Sequence, residues 1–136
     1  MQYDLKSTRH AKYLLHAHMV FTPKYRKKVF TKEHLVRMKE VFEFICSRND
    51  ATLEEFNGES DHVHLLVTYP PRIELALLVQ NLKGISSRHL RNEFDVFKKA
   101  YWGKNALWSR SYFVASVGGA PLEVLREYIE EQKTPQ

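Results

Sequence analysis

Hydrophobic and polar positions change period several times along the 136 residues. Residues 1–11 are polar and read as a lead-in without regular structure. From Tyr13 to Phe21 the chain is β-rich and largely apolar, and Pro23 closes the run, which predicts a first strand. Lys24-Tyr25-Arg26-Lys27-Lys28 follows as a basic loop holding one aromatic. Thr31 suits an N-cap, and Leu35, Met38, Val41, Phe42 and Ile45 recur at helical spacing up to about Asn49. Ala51 to Phe56 alternates as a second strand, Asn57-Gly58-Glu59-Ser60 reads as a turn, and His62 to Tyr69 is a third strand stopped by Pro70-Pro71. Ile73 to about Phe94 predicts a second helix with Leu75, Leu78, Val79, Leu82 and Ile85 inward. A polar, aromatic connection through Tyr101, Trp102 and Trp108 leads to a fourth strand, Tyr112 to Val117. Gly118-Gly119 breaks that strand, and Pro121 fits the first turn of a last helix running to about Gln132.

The order βαββαβ plus a terminal helix predicts an α+β fold. The expected architecture is a ferredoxin-like (RRM-like) sandwich, its antiparallel sheet covered by helices on one face. Residues 1–136 contain no repeat, low-complexity tract or internal linker, and their number favours a single domain.

Two distant elements carry candidate chemistry. On a strand, His62 and His64 point the same way, while Val63 and Leu65 face the core. On a helix, Tyr128 and Gln132 share a face at i and i+4. If that helix lies across the strand, two imidazoles, an amide oxygen and a phenol converge. Imidazoles bind divalent metals, a bound cation polarises a phosphate, and a tyrosine hydroxyl can attack phosphorus. Seven histidines would place about 0.4 His-x-His pairs in this length by chance. There are two, because His16-Ala17-His18 lies on the first strand and acts as a decoy. Asp61 favours the His62–His64 pair as an acceptor for a ligand imidazole. Tyr128 is also readable as a packing residue, Gln132 as a solvated one, and Glu131 as a competing ligand on another face.

Charge and cysteine content narrow the surroundings. The formal net charge is +5 and the sequence pI about 9.3, which favours an anionic partner. The single cysteine, Cys46, excludes an intrachain disulfide and a thiolate zinc cluster. No apolar signal segment or membrane-length apolar run is present, so a cytoplasmic location is the default. Lys24, Arg26, Lys27 and Lys28 around Tyr25, with Lys83, Arg88, Arg91, Lys98 and Lys99, are candidates for phosphate contacts and base stacking.

Several blocks together resemble a known family. Asp61-His62-Val63-His64-Leu65-Leu66 is similar to a histidine–hydrophobic–histidine (HUH) motif. His18, Phe21 and Pro23-Lys24-Tyr25-Arg26 resemble the basic signature after the first strand, with Phe21 where a tryptophan is common. Lys83-Gly84, Ser86-Ser87-Arg88 and Leu90-Arg91 resemble the second-helix signature. Leu107-Trp108, Ser111, Phe113, Ser116 to Pro121, Tyr128-Ile129 and Gln132 resemble the C-terminal block. These are features of single-tyrosine HUH transposases of the insertion-sequence 200/605 class.

The resemblance implies that Tyr128 is the nucleophile, cutting single-stranded DNA and holding a 5′-phosphotyrosine. His62, His64 and Gln132 would hold Mg²⁺ or Mn²⁺. It also implies a homodimer in a prokaryotic cell, hairpin DNA at element ends as partner, and composite sites built across subunits. Residues 119–132 would be a mobile catalytic helix hinged at Gly118-Gly119. The alternatives are a non-catalytic ferredoxin-like module for single-stranded nucleic acid and a phosphodiesterase that uses water instead of Tyr128.

Overall fold

The computed structural model describes residues 5–7, 10–117, 123, 124, 126, 127 and 130. Their elements run β1 (Lys6–Ser7), β2 (Lys12–Tyr13), β3 (His16–Pro23), α1 (Lys32–Arg48), β4 (Thr52–Glu59), β5 (His62–Thr68), α2 (Leu75–Glu93), α3 (Asp95–Ala100) and β6 (Trp108–Ser116). A 3-10 turn occupies Lys24–Arg26. Residues 123, 124, 126, 127 and 130 are helical, as expected of the last helix. Gly118, Gly119, Tyr128 and Gln132 lie outside the described residues.

The four long strands form one antiparallel sheet in the order β4-β5-β3-β6. The first and third strands of the motif are central, which is the ferredoxin-like arrangement. In the β3–β5 register, Ala17 faces Val67, Met19 faces Leu65 and Phe21 faces Val63. These side chains enter a core with Met38, Val41, Phe42 and Ile45 of α1 and Leu78, Val79 and Leu82 of α2. Alternation sends His16, His18, His62, His64 and Thr68 to the opposite face. Cys46 is buried in the core, and burial pushes its thiol up to about 12, which leaves it inert.

The helix α1 starts where Thr31 predicts. Its hydroxyl accepts from the His34 backbone N–H at 3.4 Å, and His34 Nδ1 accepts from the Thr31 N–H at 3.1 Å. That is a reciprocal capping box with histidine in place of glutamate. His34 is thereby accounted for structurally.

Four boundaries differ from the sequence expectation. The polar lead-in contains a short antiparallel ladder, Lys6 opposite Tyr13 and Ser7 opposite Lys12. The connection after α2 folds into α3, six residues that are too short to show a helical period but that bury Phe97 completely. The strand β6 begins at Trp108 rather than Tyr112. Finally, Asn57 and Gly58 are ladder residues of β4, and the chain reverses only at Ser60-Asp61.

Gly58 is in the ladder because α1 comes close there. A Cβ at Gly58 would lie 2.7 Å from Leu35 Cδ2 and 3.0 Å from Val63 Cγ1. Gly58→Ala is therefore expected to destabilise the fold by about 1–3 kcal/mol through overpacking. Urea unfolding would measure it, and an unchanged midpoint would show that α1 gives way freely.

Candidate active site

The pair His62 and His64 is set by strand alternation on β5, an inner strand covered on both edges by neighbours. Both are 6% exposed, and their ring centroids are 5.1 Å apart with planes at 87°. His62 Nδ1 lies 2.8 Å from Asp61 Oδ1. That hydrogen bond, with the nearby Arg26 and Lys28 cations, holds the Asp61 carboxyl below its usual range against the opposing effect of burial. A carboxylate can only accept, so Nδ1 of His62 donates this hydrogen bond and the ring orientation is fixed by it.

His64 has an equivalent support that the sequence did not reveal. Its Nδ1 lies 3.0 Å from His18 Nε2, and the two rings stack with centroids 5.2 Å apart. His18 is opposite Leu66, two residues along the register from the Val20–His64 pair and on the same face. Burial lowers its pKa and favours the neutral ring. The His18–His64 hydrogen bond runs in whichever direction the two ring tautomers set, and in either direction it fixes the orientation of the His64 ring.

The expectation that His16 and His18 form a mere decoy pair therefore needs dividing. His16 Nδ1 donates to Thr68 Oγ1 at 2.7 Å, and Thr68 Oγ1 donates to Glu54 Oε2 at 2.6 Å. Glu54 occupies the irregular position between Leu53 and Glu55 of β4. Arg126 of the terminal helix donates from Nε to the Glu54 carbonyl at 3.3 Å, and its Nη2 is 3.6 Å from Glu54 Oε1. So His16 belongs to a network that holds part of the terminal helix against β4, whereas His18 belongs to the site. The available signal was two His-x-His pairs on two strands that both face away from the core. Their pairing register is a tertiary property.

We expect His18→Leu to weaken Mn²⁺ binding by about 10–100-fold, the usual cost of losing an outer partner of a ligand imidazole. His18→Gln, which keeps an acceptor, should recover part of it. An electron paramagnetic resonance titration of free Mn²⁺ reads this directly, and wild-type affinity in His18→Leu would reject the role.

Two buried imidazoles, each with Nδ1 engaged, make a donor set suited to a divalent cation of borderline softness. Among the described residues, no group of three histidine, cysteine or acidic side chains could hold a metal. The expected third ligand, Gln132, lies outside those residues, as does Tyr128.

The expected DNA-binding residues separate into two kinds. Tyr25, Arg26, Lys27 and Lys28 are exposed and Lys24 half-buried. Tyr25 (φ 63°) and Arg26 (φ 50°) adopt left-handed backbone. Arg26 also reaches Asp61 at 3.5 Å, which ties this loop to His62. Arg88 is exposed, and Arg91 donates to Ser87 Oγ at 3.1 Å. Lys83 also makes contacts within the fold. It donates to the carbonyls of Ser109 (2.7 Å) and Arg110 (3.1 Å), and burial lowers its pKa.

Comparison with known proteins places this geometry in a family. Residues 11–132 match the family model described as "Transposase IS200 like". The transposase for insertion sequence element IS200 of Salmonella typhimurium is 30% identical over 129 residues, which is 95% of this chain and 84% of that protein. The ISDra2 transposase TnpA of Deinococcus radiodurans is 30% identical over 95% of this chain and 91% of its own. The crystal structure of a proposed transposase from Deinococcus radiodurans R1 superimposes with a TM-score of 0.75 at 31% identity, covering 96% of this chain and 99% of that one. A REP-associated tyrosine transposase bound to a REP hairpin shares the fold, with a TM-score of 0.57 at 9% identity over 91% of this chain and 69% of its own. The chain belongs to the IS200-like transposase family. Among the described residues, no helix is long and apolar enough to cross a membrane.

Proposed function

We propose that this transposase cuts and rejoins single-stranded DNA at the ends of an insertion sequence through a covalent tyrosine intermediate. The observation that carries the reading is the pair of imidazoles on β5, each held at Nδ1, one by Asp61 and one by His18. Tyr128 Oη attacks the scissile phosphorus, the bond from phosphorus to the 3′ oxygen breaks, and a 3′-hydroxyl leaves. The DNA is then held as a 5′-phosphotyrosine. A 3′-hydroxyl attacking that linkage rejoins strands and restores the phenol. His62, His64 and Gln132 would hold Mg²⁺ or Mn²⁺, which supplies polarisation of the phosphate and offsets its developing charge. Asp61 and His18 orient the two imidazoles, and the loop Lys24–Lys28 supplies cations beside them.

The DNA partner in this reading is a hairpin at each element end, in keeping with the relative that is bound to a REP hairpin. The working unit is a homodimer with the tyrosine helix able to serve either subunit, in the cytoplasm of a prokaryotic cell. Gly118-Gly119 is the hinge and residues 119–132 the moving segment.

The test is direct. Single-stranded hairpin DNA from the element ends is incubated with protein and Mn²⁺, denatured, and examined for a covalent adduct. An adduct lost in Tyr128→Phe is expected. Cleavage that persists in Tyr128→Phe would instead favour attack by water, and binding without cleavage under all conditions would favour a non-catalytic module. Composite sites predict that mixing Tyr128→Phe with His64→Ala subunits restores cleavage; no restoration would place tyrosine and histidines on the same chain.

A further inference from the structure

The surface after α3 holds a feature that the cleavage chemistry does not use. Trp102 is 86% exposed. Single surface hydrophobics are ordinary, so exposure alone says little. The surroundings of this ring are not ordinary. It borders an open cavity of about 440 Å³ lined also by Arg91, Lys98, Lys104, Tyr101 and Asn105, with no acidic residue on its wall. A cavity of that size is within the range of small-ligand clefts, about 300–1,000 Å³.

The ring is also presented by a defined turn. The Lys104 N–H donates to the Tyr101 carbonyl at 2.9 Å, and Gly103 takes φ 77°. Trp102 therefore stands at the second position of a tight turn whose third position requires a left-handed backbone, which glycine supplies. Below it, Tyr101 is 2% exposed, and its hydroxyl, which lies on this cavity's lining residue, has no hydrogen-bond partner among the described residues. The Lys27 ammonium sits 5.3 Å from the Tyr101 ring centroid and donates to the Ala100 carbonyl. Tyr25, 63% exposed, has its ring 6.4 Å from that of Tyr101. Its neighbour Arg26 reaches Asp61, which holds His62. Chain neighbours and side-chain contacts, Tyr101 to Tyr25 and Arg26 to Asp61, therefore lead from the Trp102 turn toward the histidine pair.

The chemistry of this surface selects a ligand. An acidic peptide would use the cations and leave the indole idle; an apolar partner would have to desolvate three cations. Unpaired nucleotides use both, because each offers a π face and a phosphate. We propose that Trp102 stacks on an unpaired base of the DNA strand leading to the cleavage site, with Arg91, Lys98 and Lys104 holding the flanking phosphates. This rests on the single-stranded DNA reading above and adds where that strand lies.

The test uses the full chain and labelled DNA, read by fluorescence anisotropy. The probes are a short single-stranded oligothymidylate and a blunt duplex of equal length. Trp102→Ala is expected to weaken the single strand by roughly tenfold and the duplex hardly at all, and Trp102→Phe to keep most of the affinity. In the wild type, single-strand binding should quench the exposed indole, since the other tryptophan, Trp108, is buried. Unchanged single-strand affinity in Trp102→Ala overturns the proposal, as does an equal loss for both probes. The tyrosine chemistry is judged separately. An adduct with no Trp102 effect sinks only the stacking site, and a Trp102 effect with no adduct sinks only the cleavage reading.

Discussion

His64→Ala is expected to abolish cleavage while leaving hairpin binding within about tenfold, roughly 1.4 kcal/mol. The reason lies in how His64 is held. It sits on an inner strand, faces away from the core, and engages His18. Its removal takes one of two donor nitrogens from the site without opening the packed face of the sheet, so the fold and the basic surface should persist. Gel-shift assays with hairpin DNA and strand-cleavage assays with Mn²⁺ separate the two effects. A binding loss far beyond tenfold would mean that His64 is a structural residue and that stacking on His18 holds β3 and β5 together. Asp61→Asn is a useful companion, because it keeps the shape beside His62 but replaces the carboxylate that accepts its Nδ1 proton.

Trp108→Ala should show the opposite pattern, a fold weakened by about 3–5 kcal/mol with no chemistry removed. Trp108 is 5% exposed, and its ring centroid lies 5.8 Å from Phe21, 5.4 Å from Phe30 and 6.2 Å from Phe42. It therefore joins β6 to β3 and α1. Its Nε1–H donates to Ser86 Oγ of α2 at 2.9 Å, in turn a donor to the Lys83 carbonyl at 3.2 Å. Truncation leaves a cavity among aromatic rings and removes the proton that Ser86 accepts. A loss of that size is a large part of the 5–15 kcal/mol typical of a domain. Trp108→Phe refills most of the volume and should cost only about 1 kcal/mol for the hydrogen bond. Chemical denaturation of the three proteins gives the comparison. A small effect of Trp108→Ala would show that the aromatic cluster collapses around the gap.

Periodicity was enough to place the main elements. The spacing of Met38, Val41, Phe42 and Ile45 defined one helix, and that of Leu78, Val79 and Leu82 another, because a helix buries a single stripe. The alternation around His62-Val63-His64 put both imidazoles on one side and Val63 and Leu65 on the other, because a strand offers only two faces. Those are local rules, and they hold whatever the rest of the chain does. Tyr128 and Gln132 remain legible in the same way, four residues apart on a predicted helix.

What the local rules could not supply is what each face meets. His16 and His18 are alike in sequence, yet His16 pairs with Thr68 and His18 reaches His64, because the register of β3 on β5 sets their neighbours. Gly58 resembles a turn glycine until α1 is packed on the sheet and leaves no room for a Cβ. Lys83 reads as a surface cation in sequence, and only packing against β6 reveals the two carbonyls to which it donates. In each case the local chain permitted several partners, and long-range packing, with the cost of leaving buried polar groups unpaired, selected one.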